Sequence, residues 1–457
     1  MKKISLLVLL GNFFMCAANV SLPNVISDNM VLQQNSEVAL WGWAKPGEIV
    51  TVKPSWDGSE YKVKVGNTAF WMVKIKTIGS CGSQTISIKE NNEIVLQNIL
   101  LGEVWLCSGQ SNMEMPAAWG ILNGDEEIKN ANYPNIRFFN VPKLSATTPQ
   151  NNVIGSWTTC TPETMKNFSA LAYFYAQKLQ KELNVPVGIV LSSWGGIPAE
   201  PFVPKEAIEI NPITNMEAKR LNPSQWWPIE SGLAYNAMIY PFLNFKIAGV
   251  LWYQGESNCG SFHYDETLVT LIRSWRTLWG YNFPFYYAQI APYNYGNNTF
   301  AAGIIRDAQR KVLTQVDNVA MALTSDCSTT DDIHPKDKKT IAIRLANLAM
   351  KNTYKKNISI VNGPLFKNFE VKNNTLLVHF DFSDGLKFKN NFPSTQFEIA
   401  GVDGIFYQAV AKIEKNCVLL LSDNVLKPTN VRFSIRNSDQ SDVFNAANLP
   451  ASTFVSE

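Results

Sequence analysis

Glu103-Val104-Trp105-Leu106-Cys107 is a short apolar run that leads straight into Ser108-Gly109-Gln110-Ser111-Asn112-Met113. A continuous apolar run of this length fits a strand buried on both faces. The polar, glycine-containing stretch after it reads as a loop at that strand's carboxyl end. Four further runs have the same character: Val187-Gly188-Ile189-Val190-Leu191, Gly249-Val250-Leu251-Trp252-Tyr253, Phe285-Tyr286-Tyr287-Ala288-Gln289-Ile290 and Val319-Ala320-Met321-Ala322-Leu323. Helical spacing appears between them. Phe168 to Leu183 has apolar residues at 168, 171, 172, 175, 179 and 183, and Ile341 to Met350 is a second such stretch. Buried strands alternating with helices predict an α/β fold with a parallel sheet covered by helices on both faces.

The flanks read differently. From Ser21 to Gln97, short alternating runs (38–43, 49–53, 62–65, 70–75 and 84–88) are separated by Pro46-Gly47, Asp57-Gly58 and Gly66-Asn67 turns. That pattern predicts a small antiparallel β-sandwich-like module. From about residue 357 to Glu457 the chain returns to β, with runs at 376–380, 418–421 and 431–435. The expected organisation is a β module at 21–97, an α/β domain at 98–356 and a second β module at 357–457. Three units also suit a length of 457 residues, at roughly 150 residues per domain.

The first eighteen residues read as an export signal. Lys2 and Lys3 precede an apolar stretch from Ile4 to Ala18, and Cys16-Ala17-Ala18 offers a small-residue cleavage site. The stretch is short for a membrane span, which needs ~20 apolar residues. Lipidation of Cys16 is the weaker alternative, because Phe14-Met15 are bulky where a lipobox wants small residues. No later segment is apolar enough to span a bilayer. The expected location is periplasmic or extracellular.

Composition narrows the function. Lys+Arg 40 against Asp+Glu 38 argues against a nucleic-acid partner or a basic membrane-surface protein. Removing residues 1–18 takes Lys2 and Lys3 and no acid, leaving 38 of each sign. The six cysteines beyond Cys16 (Cys81, Cys107, Cys160, Cys259, Cys327 and Cys417) form no C-x-x-C pair, so a zinc ribbon is not expected. Buried free thiols fit them as well as any disulfide pairing. There are only three histidines, His263, His334 and His379, and any chemistry that needs an imidazole must use one of them.

Ligands of open parallel sheets bind beyond the carboxyl ends of the strands, and here those ends carry chemistry. Besides the Ser111 loop, they bear Ser192-Ser193-Trp194-Gly195-Gly196, Gln254-Gly255-Glu256-Ser257-Asn258 and Asp331-Asp332-Ile333-His334-Pro335. A serine, glycine backbone donors, amides and an Asp–His stretch make up the inventory of acyl transfer. His334 is the only histidine beside carboxylates in a polar loop; His379 sits in a β run and His263 in a polar segment. A lipase-type Gly-x-Ser-x-Gly elbow is missing at Ser111.

These blocks resemble the sialate O-acetylesterase family of SGNH-type carbohydrate esterases. The resemblance lies in Gly109-Gln110-Ser111-Asn112-Met113, Trp194-Gly195-Gly196, Trp252-Tyr253-Gln254-Gly255-Glu256-Ser257-Asn258 and Asp332-Ile333-His334-Pro335. Asn29-Met30-Val31-Leu32-Gln33, Trp275-Arg276 and Phe397-Glu398-Ile399-Ala400-Gly401 extend it over nearly the whole chain. It implies a three-layer SGNH-hydrolase-like core with β modules, and removal of O-acetyl groups from sugars, with acetylated xylan and other polysaccharides as alternatives to O-acetylated sialic acid. It also implies Ser111 as nucleophile. His334 is the expected base, and Asp331, three residues before it in the Asp-x-x-His spacing common in this superfamily, its expected orienting carboxylate. Asp332 or a bare Ser–His dyad are the alternatives. The expected oxyanion donors are the Ser111 and Gly196 (or Gly195) N–H groups and the Gln254 amide. No metal or organic cofactor is required by such a mechanism.

Two other classes compete. A glycoside hydrolase needs two carboxylates ~5–10 Å apart, for which Glu200, Glu256 and Asp331 are candidates; Glu256 reads more simply as a buried loop tie. A non-catalytic carbohydrate-binding protein would account for the tryptophans and the β modules. Neither requires Ser111 and His334 at strand ends.

Overall fold

A computed structural model of the chain describes residues 19–296 and 299–456. The expected export signal at 1–18 lies outside the described residues. Among them, no helix is long and apolar enough to cross a membrane.

The central feature is one long strand, β1 (Glu93–Gly109). Its first half pairs antiparallel with Gln84–Lys89 of the N-terminal β region, and its second half enters the central sheet. The strand therefore runs straight through the position where the sequence pattern changes. The N-terminal strands also form an antiparallel pair, Glu37–Trp43 with Phe70–Lys76. Val38, Leu40, Val50, Val52, Ile86 and Ile88 of this region are buried, as the period-2 alternation requires.

The other strands of the central sheet are β2 (Tyr133–Asn140), β3 (Trp157–Cys160), β4 (Val187–Ser193), β5 (Gly249–Tyr253), β6 (Phe285–Ala288) and β7 (Val319–Ala322). They lie in the order β7-β6-β5-β1-β4-β2-β3. All pairings are parallel except that of β3, which closes one edge antiparallel to β2. The sequence pattern does not announce β2 or β3: Pro134, Asn135 and Arg137 interrupt the apolar run. Pro134 and Asn135 are tolerated because they precede Ile136, the first residue paired with β4, and fall where the register with β3 is interrupted between Tyr133 and Arg137.

Alternate residues of the central strands serve opposite faces. Trp105, Cys107, Ile189, Leu191, Leu251 and Tyr253 pack with helices Ala170–Leu183 and Lys338–Asn352. Val104, Leu106, Val190, Val250, Trp252 and Tyr287 pack with helices Tyr264–Trp279 and Ala301–Gln315. The first helix starts at Ala170 because the Ser169 hydroxyl caps the Ala172 N–H at 3.1 Å.

The C-terminal region forms two four-stranded sheets, one containing Thr375–Asp381 and Cys417–Leu421, the other Phe397–Ala400 and Asn430–Phe433. They enclose their own core of Leu376, Val378, Phe397, Val418, Val431, Phe433 and Phe454. Arg306 pins this core to the central region. Fully buried on helix Ala301–Gln315, it donates to the carbonyls of Ser434 and Arg436 and to the Thr453 hydroxyl. All six described cysteines are free thiols.

The strand order reverses at β1. Its neighbours β4 and β5 lead to opposite edges of the sheet, and Gly109, Ser193 and Tyr253 end level with one another. A crevice opens at such a switch point. Gly109 has φ +135°, and a β-carbon there would lie 2.2 Å from the Tyr253 carbonyl oxygen. Only glycine lets β1 turn out of the sheet so close to β5.

Candidate active site

Ser111 begins the one-turn helix Ser111–Glu114, immediately after that turn. His334 arrives from the loop between β7 and helix Lys338–Asn352. Its Nε2 stands 2.9 Å from Ser111 Oγ. The two lie in a pocket of about 430 Å3 together with Gln110, Glu114, Trp119, Lys143, Gly195, Gly196, Glu256 and Ser257. A hydroxyl within hydrogen-bond reach of an imidazole is the arrangement that covalent acyl transfer needs. Sequence reasoning brought Ser111, His334 and Gly196 to one place, and the structure does the same.

It separates the two aspartates. Asp332 Oδ1 accepts the His334 backbone N–H at 2.9 Å and lies 3.9 Å from the ring Nδ1. Asp331, the expected partner, is exposed, and its carboxylate is held below the ordinary value mainly by the Thr329 hydroxyl. The turn at 329–332 aims successive side chains in different directions, and Asp332 is the one facing the ring.

Gln254 is also placed differently from expectation. It is fully buried and does not line the pocket. Its amide donates to Asn258 Oδ1 at 2.7 Å and Gln110 Oε1 at 3.1 Å, while its Oε1 accepts the Tyr264 hydroxyl at 2.7 Å. With both hydrogens committed inside the protein, it has none to offer an oxyanion. Gly195 is likewise engaged, its N–H donating to Glu114 Oε2 at 2.6 Å. The Ser111 N–H, at a helix start where the backbone donors lack intrahelical partners, and the Gly196 backbone remain on the pocket wall.

The polar blocks hold one another. Asn112 donates to Glu256 Oε1 at 2.5 Å and to the Ile333 carbonyl at 3.0 Å, and accepts from Lys338 Nζ at 2.5 Å. It thus joins the serine loop to the histidine loop. Gln110 Oε1 accepts the N–H groups of Gly255 and Ser257, and Ser257 Oγ donates to the Gly196 carbonyl at 2.7 Å. Asn258 donates to both oxygens of Glu200, each at 3.0 Å. Such connected buried networks rigidify a site, although Glu256 Oε2 is buried without a hydrogen-bond partner among the described residues.

Electrostatics follow from burial. Desolvation raises the Glu256 and Glu200 carboxyls above their usual range. Burial pushes Lys338 down to about 7, opposed by the Glu256 charge. His334 is lowered by burial and next by Lys338, against the pull of Asp332 and Glu114. A lowered imidazole pKa keeps the ring neutral and able to accept a proton near pH 7. Sequence reasoning missed Lys338, Glu114, Lys143 and Trp119. Only Glu114, three residues after Ser111 on the same helical turn, carried a local signal.

A profile described as carbohydrate esterase, sialic acid-specific acetylesterase, matches residues 101–351. The chain belongs to this family. Human sialate O-acetylesterase is 30% identical over 387 residues, covering 76% of this chain and 73% of the human protein. The rat enzyme of the same name is 28% identical over 436 residues, covering 80% of each. The crystal structure of a carbohydrate acetylesterase from Xanthomonas citri superimposes with a TM-score of 0.87 at 30% identity, covering 96% of this chain and 100% of that one. The protein is a carboxylic ester hydrolase of the carbohydrate-esterase kind.

Proposed function

We propose that the protein is an exported esterase that removes O-acetyl groups from sugars through a Ser111–His334–Asp332 acyl-enzyme mechanism. O-Acetylated sialic acid is the first substrate to consider, given the names of the relatives. The observation that carries the mechanism is the 2.9 Å approach of His334 Nε2 to Ser111 Oγ at the switch point of the sheet. In this reading His334 takes the Ser111 proton as Oγ attacks the acetyl carbonyl. The Ser111 and Gly196 N–H groups receive the oxyanion. His334 then protonates the departing sugar hydroxyl, and water releases acetate by the same route in reverse.

The helix-covered parallel sheet with a serine loop at its centre supports an SGNH-type assignment of the core. Residues 21–97, 98–356 and 357–457 are the proposed modules, and residues 1–18 the proposed export signal. Glu200 and Glu256 are both tied into the loop network, which favours the esterase over a glycosidase.

The test is an acetate-release screen over O-acetylated sialic acids and acetylated xylo-oligosaccharides, with p-nitrophenyl acetate and p-nitrophenyl glycosides as references. Acetate release from a sugar without glycoside cleavage is the expected result. Glycoside cleavage, or inertness toward every ester, overturns the reading.

A further inference from the structure

The pocket around Ser111 has a neighbour. Gly196 and Ser257 line both it and a second cleft of about 820 Å3, toward the upper end of the ~300–1,000 Å3 usual for ligand sites. An acetyl group attached to one sugar does not need that much additional space.

The shared wall is built around an aromatic ring. A β-carbon at Gly196, where φ is +84°, would lie 2.2 Å from the Trp227 indole. Trp227 rests there only because residue 196 is glycine. Beside it Trp226 is 71% exposed. Its loop is anchored: the Trp226 carbonyl accepts Trp194 Nε1–H and its N–H donates to Ser224 Oγ, both at 3.1 Å. Asn222, Gln225 and Ser261 line the same cleft. Flat apolar faces bordered by amides and hydroxyls match a pyranose, which presents a C–H face and an equatorial rim of hydroxyls.

The charges indicate which sugars. Arg220 is the only cation among the described lining residues. It stands 3.5 Å from Glu217 and stacks over Phe262. Glu200, the other acid on the wall, is held by Asn258. With Glu217 and Glu200 beside this single arginine, the wall offers an anionic unit no net positive charge.

We propose that this cleft is a subsite for the uncharged sugar units joined to the acetylated sugar, stacked on Trp227 and Trp226. The enzyme then prefers acetyl groups carried on an oligosaccharide to those on the free monosaccharide. This rests on the reading that Ser111 and His334 deacetylate sugars.

The experiment compares kcat/KM within two matched pairs: O-acetylated sialic acid against the same sugar at the end of sialyllactose, and acetylated xylose against acetylated xylotetraose. The expected result is a preference for the longer member of at least one pair, expressed mainly in KM. Trp226→Ala then lowers the ratio of kcat/KM for that oligosaccharide over p-nitrophenyl acetate by about 3- to 10-fold, the size of one aromatic stacking contact, and Trp226→Phe restores most of it. Equal rates within both pairs, or an unchanged ratio in Trp226→Ala, overturn the subsite alone. Hydrolysis of p-nitrophenyl acetate with no acetate from any sugar overturns the carbohydrate reading and the subsite with it.

Discussion

Asp332 Oδ1 faces the imidazole of His334 at 3.9 Å from Nδ1, while Asp331, one residue earlier, faces solvent. That separation is longer than a hydrogen bond, but catalytic contacts in unliganded sites commonly tighten when substrate binds. Asp332→Asn is therefore expected to lower kcat by up to about 10⁴-fold, as loss of an orienting carboxylate does elsewhere. The asparagine retains an oxygen for the His334 N–H, so the turn itself survives. Asp331→Asn is expected to stay near the wild-type rate. Steady-state kinetics on both variants decide it: the reverse ranking moves the role to Asp331, and two mild effects leave a Ser111–His334 dyad.

Ser111→Ala removes the attacking atom and little else, since among the described residues Oγ hydrogen-bonds only His334. A fall in kcat of about 10⁴- to 10⁶-fold with an unchanged urea midpoint is expected. Retention of more than about a tenth of the activity would assign the chemistry to another group.

Gln254→Ala is a stability prediction. The substitution removes three buried hydrogen bonds, to the Tyr264 hydroxyl, Asn258 Oδ1 and Gln110 Oε1, although each group keeps a backbone partner. Each lost buried hydrogen bond costs about 0.5–1.5 kcal/mol. Urea denaturation should show a loss of at least that size. A variant as stable as wild type but with kcat reduced ~10²- to 10³-fold would instead restore Gln254 to the oxyanion hole.

The pH profile reports on Lys338. His334 must be neutral to accept the serine proton, so kcat/KM rises through an acidic limb, and burial and the Lys338 charge place that limb below the ordinary imidazole value of 6.5. Below about pH 7 Lys338 is charged. Lys338→Met deletes this positive neighbour, the imidazole binds its proton more tightly, and the limb moves to higher pH. A limb that stays in place or moves lower, in a variant with wild-type circular dichroism, would show that Lys338 does not act on His334.

The strands at 103–107, 187–191, 249–253 and 319–323 were readable because burial on both faces leaves an unbroken apolar run. β2 and β3 were not: Pro134, Asn135 and Arg137 break the apolar run of β2, and β3 is a short edge strand whose Thr158 and Thr159 resemble loop. The loops at Ser111, Gly195-Gly196, Gln254 and His334 were readable as a set, since polar, glycine-containing segments directly after buried strands have one common destination at the carboxyl edge of the sheet. Helix Tyr264–Trp279 escaped notice although Leu268, Leu271, Ile272 and Trp275 lie on one buried face: polar residues interleaved with them mask the period.

By itself, then, the sequence determined the class of fold, the edge at which the chemistry collects and the serine and histidine that meet there, because strand burial and loop position are written in local composition. Only the tertiary structure decided which of two adjacent aspartates faces the imidazole, that the Gln254 amide turns inward to Asn258 and Gln110, and that Lys338 is buried against Asn112 beneath the site. Those outcomes depend on which partners other strands bring within about 3 Å, and a side chain's direction follows from that competition for hydrogen bonds rather than from its place in the chain.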